Sequence, residues 1–152
     1  MSSHARTVYL AIKFHADHRN RKLVERIAAA LGEHGVTTVC VARDIDQWGA
    51  LTLDADDLVR RAFESIRRSE AVVVEFTDKG VGLGIEAGYA AALGIPVFVL
   101  VPAGTEVSAT LRGVSTDVYQ YADDDDLRRA AVGIADRIRL GSGNTQQHLD
   151  RC

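Results

Sequence analysis

Apolar residues along this chain recur at two alternating spacings. TVYLAI (7–12), VTTVCVA (36–42) and EAVVVEF (70–76) are short runs rich in β-branched residues, which predicts strands. The third is apolar enough to be buried on both faces. Between the strands, residues 17–34 repeat apolar positions at helical spacing, with Leu23, Ile27, Ala30 and Leu31 on one face and Gly35 as the stop. Residues 54–69 do the same with Leu58, Val59, Ala62, Phe63 and Ile66, and 43–53 read as a loop. The pattern further predicts a short helix at about 84–93, strands at 95–101 and 116–121, and a last helix over 123–140.

Strands and helices that take turns imply an α/β fold: an open, mostly parallel five-stranded sheet with helices on both faces, Rossmann-like or flavodoxin-like. Residues 1–140 form one domain on this reading, and GSGNTQQHLDRC (141–152) reads as a flexible tail. Ligands of open α/β sheets bind beyond the carboxyl ends of the strands. The segments to search are therefore 13–17, 43–53, 77–86 and 102–113, which hold Phe14, His15, Asp44, Trp48, Gly80, Gly82, Gly84, Glu86, Ser108 and Arg112.

Composition narrows the classes. The 152 residues are 47% hydrophobic and 26% charged, as in an ordinary globular domain with a core of its own. A formal charge of −3 offers no basic field for a nucleic acid polymer. No apolar run reaches the ~20 residues that span a bilayer, and no secretory signal is visible, so a cytoplasmic protein is expected. Cys40 sits in a strand-like run and Cys152 ends the chain, so neither a disulfide framework nor a metal site is expected. A reactive thiol at Cys152 is the weaker reading of a frayed end. The run Asp123–Asp126 gives the last helix an acidic start more readily than it forms a metal site.

The unusual stretch is GVGLGIEAGYAAALGIPVFVL (80–100), where one carboxylate stands among glycines and apolar residues. Gly80, Gly82 and Gly84 allow close approach of backbone to a ligand and permit positive φ. Glu86 is expected in the first turn of the following helix, where the dipole and free N–H groups favour its ionised form. Gly82-Leu-Gly84-Ile-Glu-Ala87 also satisfies G-x-G-x-x-A, a phosphate-cradling pattern. It follows the third strand instead of the first, and its carboxylate would repel a pyrophosphate. Asp44 ends the second strand and is a candidate second acid or a turn residue. Trp48 can stack on a base or pack its loop. Arg112 is a planar fork for a phosphate or an ion-pair partner. Lys79, His15 and His18 read first as solvated loop residues.

VYLAIKFHADHRNRKL together with EAVVVEFTDKGVGLGIEAGYAAALGIPVFVL resembles the nucleoside 2-deoxyribosyltransferase family, including its branch that hydrolyses deoxynucleoside 5′-monophosphates. The resemblance covers about residues 7–121 and is most specific at Gly82-Leu-Gly84-Ile-Glu86-Ala-Gly88-Tyr89-Ala90. It implies that Glu86 is the nucleophile, that Tyr9 helps hold it, and that Phe14 touches the base. VSATLRGVS (107–115) resembles the segment that brings a serine to the substrate's 5′ end across a subunit boundary, and Ser108 matches that serine. The resemblance implies a nucleoside or nucleotide substrate, no cofactor, and a homodimer or higher homo-oligomer. Two departures stand out: Ala62 falls where the family carries an aspartate that assists the leaving base, and Gly80 where the monophosphate hydrolases carry a serine.

The reaction so implied is N-glycosidic cleavage or transfer through a glycosyl ester on Glu86, by the logic of retaining glycosidases, with hydrolysis favoured over transfer. The rivals are a non-catalytic nucleotide-binding module that has lost the leaving-group acid, and a redox enzyme binding a dinucleotide on G-x-G-x-x-A.

Overall fold

The computed structural model describes residues 5–149. Strands β1 (Arg6–Ala11), β2 (Val36–Cys40), β3 (Ala71–Glu75), β4 (Val97–Pro102) and β5 (Asp117–Tyr121) form one sheet in the order β2-β1-β3-β4-β5. Every neighbouring pair is parallel. The helices between them are α1 (Arg21–Gly32), α2 (Ala55–Arg67), α3 (Val81–Ala92), α4 (Ala109–Val114) and α5 (Asp124–Leu149). This is the doubly wound, flavodoxin-like arrangement expected.

Period-two alternation sorts the strand side chains onto two cores. Val8, Leu10, Val73, Phe98 and Leu100 face α1 and α5, meeting Val24, Ile27, Leu31, Leu127 and Ile134. Tyr9, Ala11, Val72, Val74, Val97 and Val99 face the other way, onto Ala62, Ile66, Leu83, Ala87 and Ala90 of α2 and α3. All five β3 residues are buried, as a central parallel strand requires.

Several boundaries differ from the sequence reading. α1 starts at Arg21 instead of residue 17, because residues 17–20 are all polar and supply no apolar face. Beyond β2 the chain makes a single π-helical turn, Val41–Ile45, instead of continuing as a strand. Asp54 caps α2 through the N–H of Asp57, where the sequence placed the start. Residues 107–115, to which the sequence pattern assigned no element, contain α4, capped by Ser108. α5 is helical to Leu149, past the expected end at 140. Its Asp124–Asp126 lie in the first turn, and Asp124 and Asp126 pair with Arg26 and Arg129. Cys152, read as a terminal thiol, lies outside the described residues.

The chain leaves β1 toward β2 on one side and later returns to place β3 on the other. That reversal opens a crevice at the carboxyl end of β1, where such sheets bind ligands.

Candidate functional site

Glu86 is held differently from expectation. Gly80 caps α3 in an extended conformation (φ −162°), so the helix begins at Val81 and Glu86 falls in its second turn. The dipole and free N–H groups of the first turn therefore do not explain its state. Gly82 and Gly84 are helical, and neither has positive φ. A Cβ on either would meet nothing within 4 Å, and Gly82 leaves open space in the cavity that Glu86 lines.

The Tyr9 hydroxyl donates to Glu86 Oε1 at 2.7 Å. Tyr9 is fully buried on β1, so it fixes the carboxylate from the sheet. Burial pushes the Glu86 pKa up to about 7, against a downward pull from the Tyr9 hydrogen bond. Burial first, and then the neighbouring Glu86 charge, raise the tyrosine far above its ordinary range, so it remains a donor. Among the described residues no cation pairs with Glu86. Its ionised form is thus costly and gains when positive charge develops nearby.

Glu86 lines a cavity of about 360 Å³ at the carboxyl ends of β1 and β2. Tyr9, Lys13 and Phe14 close it from β1, Cys40 from β2, Leu58, Val59 and Ala62 from α2, and Gly80 and Gly82 from α3. That volume suits a small organic ligand. A second cavity of about 620 Å³ is lined by Lys13, Lys79, Gly80, Gly84, Ser108 and Thr110. Lys13 and Gly80 line both, so the two spaces meet at the start of α3.

The structure therefore brings together Tyr9, Phe14, Gly80, Gly82 and Glu86, and sets Gly84 and Ser108 on the adjoining cavity. Ser108 Oγ accepts from the Leu111 N–H as the cap of α4. Asp44, Trp48 and Arg112 line neither cavity. Asp44 accepts from the Cys40 N–H at 2.8 Å and pairs with Arg43, closing the π-turn. Trp48 packs against His18 (5.4 Å between centroids), carries Arg21 over its ring at 5.1 Å, and backs onto the α1 core. Its φ of 54°, next to Gln47 at 51°, marks a tightly constrained loop. Arg112 is exposed in the last turn of α4. His15 bridges Asp78 and Arg19, both at 2.8 Å.

Two features escaped the sequence reading. Lys13 directs its ammonium to the Lys79 carbonyl at 2.8 Å, between the two cavities. Its signal was its place immediately after an apolar strand. The other is Glu75, 2% exposed, which accepts from Thr77 and from the Tyr121 hydroxyl at 2.8 Å. Nothing in an all-apolar strand marks its last carboxylate as networked. Among the described residues no group of three His, Cys, Asp or Glu is arranged to hold a metal, and no helix is long and apolar enough to cross a membrane. The G-x-G-x-x-A stretch lies within α3 instead of a strand-to-helix turn, so it does not form a dinucleotide cradle.

Comparison with known proteins shows the family and the fold. A family model described as nucleoside 2-deoxyribosyltransferase matches residues 8–133. The mouse 5-hydroxymethyl-dUMP N-hydrolase is 29% identical over 128 residues, covering 78% of this chain and 74% of that protein. Among solved structures, a 2-deoxyribosyltransferase from Bacillus psychrosaccharolyticus superposes with TM-score 0.64 at 18% identity, over 80% of this chain and 90% of that one. A CMP N-glycosidase from Clostridium botulinum gives TM-score 0.63 at 18% identity, over 84% and 99%. At such identities the two structures show a shared fold.

Proposed function

The chain belongs to the nucleoside 2-deoxyribosyltransferase family and is an enzyme of nucleoside or nucleotide processing, and from that premise we propose that it cleaves an N-glycosidic bond through a glycosyl ester on Glu86. The observation that carries this is the Tyr9–Glu86 pair, 2.7 Å apart, lining a cavity at the sheet's carboxyl end.

In this reading the sugar lies against Gly82 with C1′ within ~3.5 Å of a Glu86 oxygen. Tyr9 leaves that oxygen one productive direction. As the bond to the base lengthens, positive charge grows on C1′ and the ring oxygen. A poorly solvated carboxylate stabilises that charge more than water would, and then captures C1′. Water attacks the ester from the face the base has left, and configuration is retained. Phe14 covers the base.

Hydrolysis is favoured over transfer by the likeness of residues 107–115 to the hydrolase segment and by the hydrolytic relatives named above. Lys13, Lys79 and Ser108 border the adjoining cavity, where a 5′-phosphate would lie. The reading assigns Asp44, Trp48 and Arg112 no contact with the sugar. It carries with it a cytoplasmic location, where nucleotide pools reside, and a homodimer or higher homo-oligomer, for which α3 exposes Val81 and Ile85. Cell fractionation and light scattering test these two.

The main experiment incubates the protein with nucleosides and nucleoside 5′-monophosphates and follows free base by chromatography. Base release that disappears in Glu86→Ala supports the proposal. Ligand-induced stabilisation with no base released under any condition would favour a binding module instead.

A further inference from the structure

The cavity that holds Glu86 supplies almost nothing that can give a proton to a departing base. When the C1′–N bond breaks, its electron pair goes to the ring nitrogen. A neutral purine or pyrimidine then leaves as an anion unless it is protonated, and a positioned acid is typically worth about 10²–10⁴ in rate. The titratable residues lining this cavity are Tyr9, Lys13, Cys40 and Glu86. Glu86 must be ionised to attack. Tyr9 already spends its proton on Glu86, and burial raises it far out of range. The Cys40 thiol is buried and raised for the same reason. Lys13 holds its ammonium on the Lys79 carbonyl. The α2 wall is Leu58, Val59 and Ala62, without a donor.

We propose that the substrate carries a leaving group that is already cationic: a (deoxy)ribosyl or 5′-phosphoribosyl derivative of a pyridinium or of an N7-alkylated purine. The inference rests on the N-glycosidase reading above and names its substrate class. For such a substrate the electron pair neutralises the ring and no proton is needed. Phe14, at the cavity and 54% exposed, offers an aromatic face to a planar cation. Glu86 is the counter-charge on the sugar side. The aliphatic α2 wall accepts a neutral ring at lower desolvation cost than a charged one, so it favours the transition state over the ground state.

The steps balance. First the C1′–N bond breaks, the ring goes from cation to neutral, and a Glu86 oxygen forms the C1′–O ester. Then water oxygen bonds to C1′, the ester electron pair returns to Glu86, and the water proton passes to solvent. The sum is cationic glycoside plus water to free sugar, neutral base and one proton.

The test compares nicotinamide mononucleotide and 7-methylguanosine 5′-monophosphate with guanosine, cytidine and uridine 5′-monophosphates and their 2′-deoxy forms. Base release is read by chromatography and proton release in a pH-stat. The expected result is a kcat/KM at least 100-fold higher for the cationic pair, with one proton released per base. Ala62→Asp, checked for folding by thermal unfolding, should raise the neutral rates and narrow the ratio. Neutral nucleotides cleaved as fast as cationic ones by the wild type would overturn this inference and leave the N-glycosidase reading intact. No base from either class would overturn both.

Discussion

Two carboxylates, one ending β3 and one on α3, are each held by a tyrosine, yet their settings differ. Glu75, at the end of β3, is sealed at 2% exposure and takes Thr77 and Tyr121 on one oxygen. Glu86 takes a single hydrogen bond, from Tyr9, and lines a cavity of about 360 Å³. Burial raises both above the ordinary carboxylate range. Glu75 answers that cost with several donors and joins β3 to β5. Glu86 has one donor and lines a cavity, so in the proposed reading a bound ligand supplies the rest. On the proposed function, that difference separates a structural carboxylate from a reactive one better than burial or pKa does.

The largest expected break in that comparison is Glu86→Gln. Base release should fall by on the order of 10⁴-fold or more, as for other lost nucleophiles, with the fold intact. Glu75→Ala should do the opposite. It strands the Thr77 and Tyr121 donors and costs about 3 kcal/mol in denaturant unfolding, while kcat stays within a few-fold of wild type.

Tyr9→Phe sharpens the role of the single donor. Losing one well-aimed hydrogen bond should lower kcat by about 10². That bond favours the ionised carboxylate. Its removal should therefore move the rising limb of the pH–rate profile above its wild-type midpoint near pH 7.

The smallest effect is on stability. Glu86 binds its proton more tightly in the folded protein, at about 7, than at its ordinary unfolded-chain value of 4.5. Between those values the folded state holds more protons than the unfolded one. Its contribution is therefore present in full below about pH 4.5 and is lost as pH rises through about 7. Thermal unfolding from pH 5 to 8 should show a decline that is shallower in Glu86→Gln. Activity should rise over the same range, because in the proposed mechanism only the carboxylate attacks.

The strands were legible because parallel strands buried on both faces read as continuous apolar runs, and β3 is the clearest case. Glu86 stood out in the sequence as a lone carboxylate among glycines, but its pairing with Tyr9 was legible only through resemblance, since 77 residues separate them. The start of α3 was missed because Gly82 and Gly84 have low helix propensity. Packing of Leu83, Ala87 and Ala90 on the sheet overrides it. That shift moved Glu86 into the second turn and replaced the dipole with burial as the cause of its state. Asp44 looked reactive from its place after a strand, but its oxygens close a turn that sequence periodicity does not reveal. Lys13 was not singled out in the sequence, because only the topology sets it between two cavities.

The most direct test of Glu86 as nucleophile is to trap the ester. A 2′-fluoro-arabino nucleotide slows ester hydrolysis more than its formation, and intact-mass and peptide mapping then locate the sugar. The account predicts one glycosyl adduct per chain on Glu86, absent from Glu86→Gln. An adduct on another residue, or base release that persists in Glu86→Gln, would contradict it.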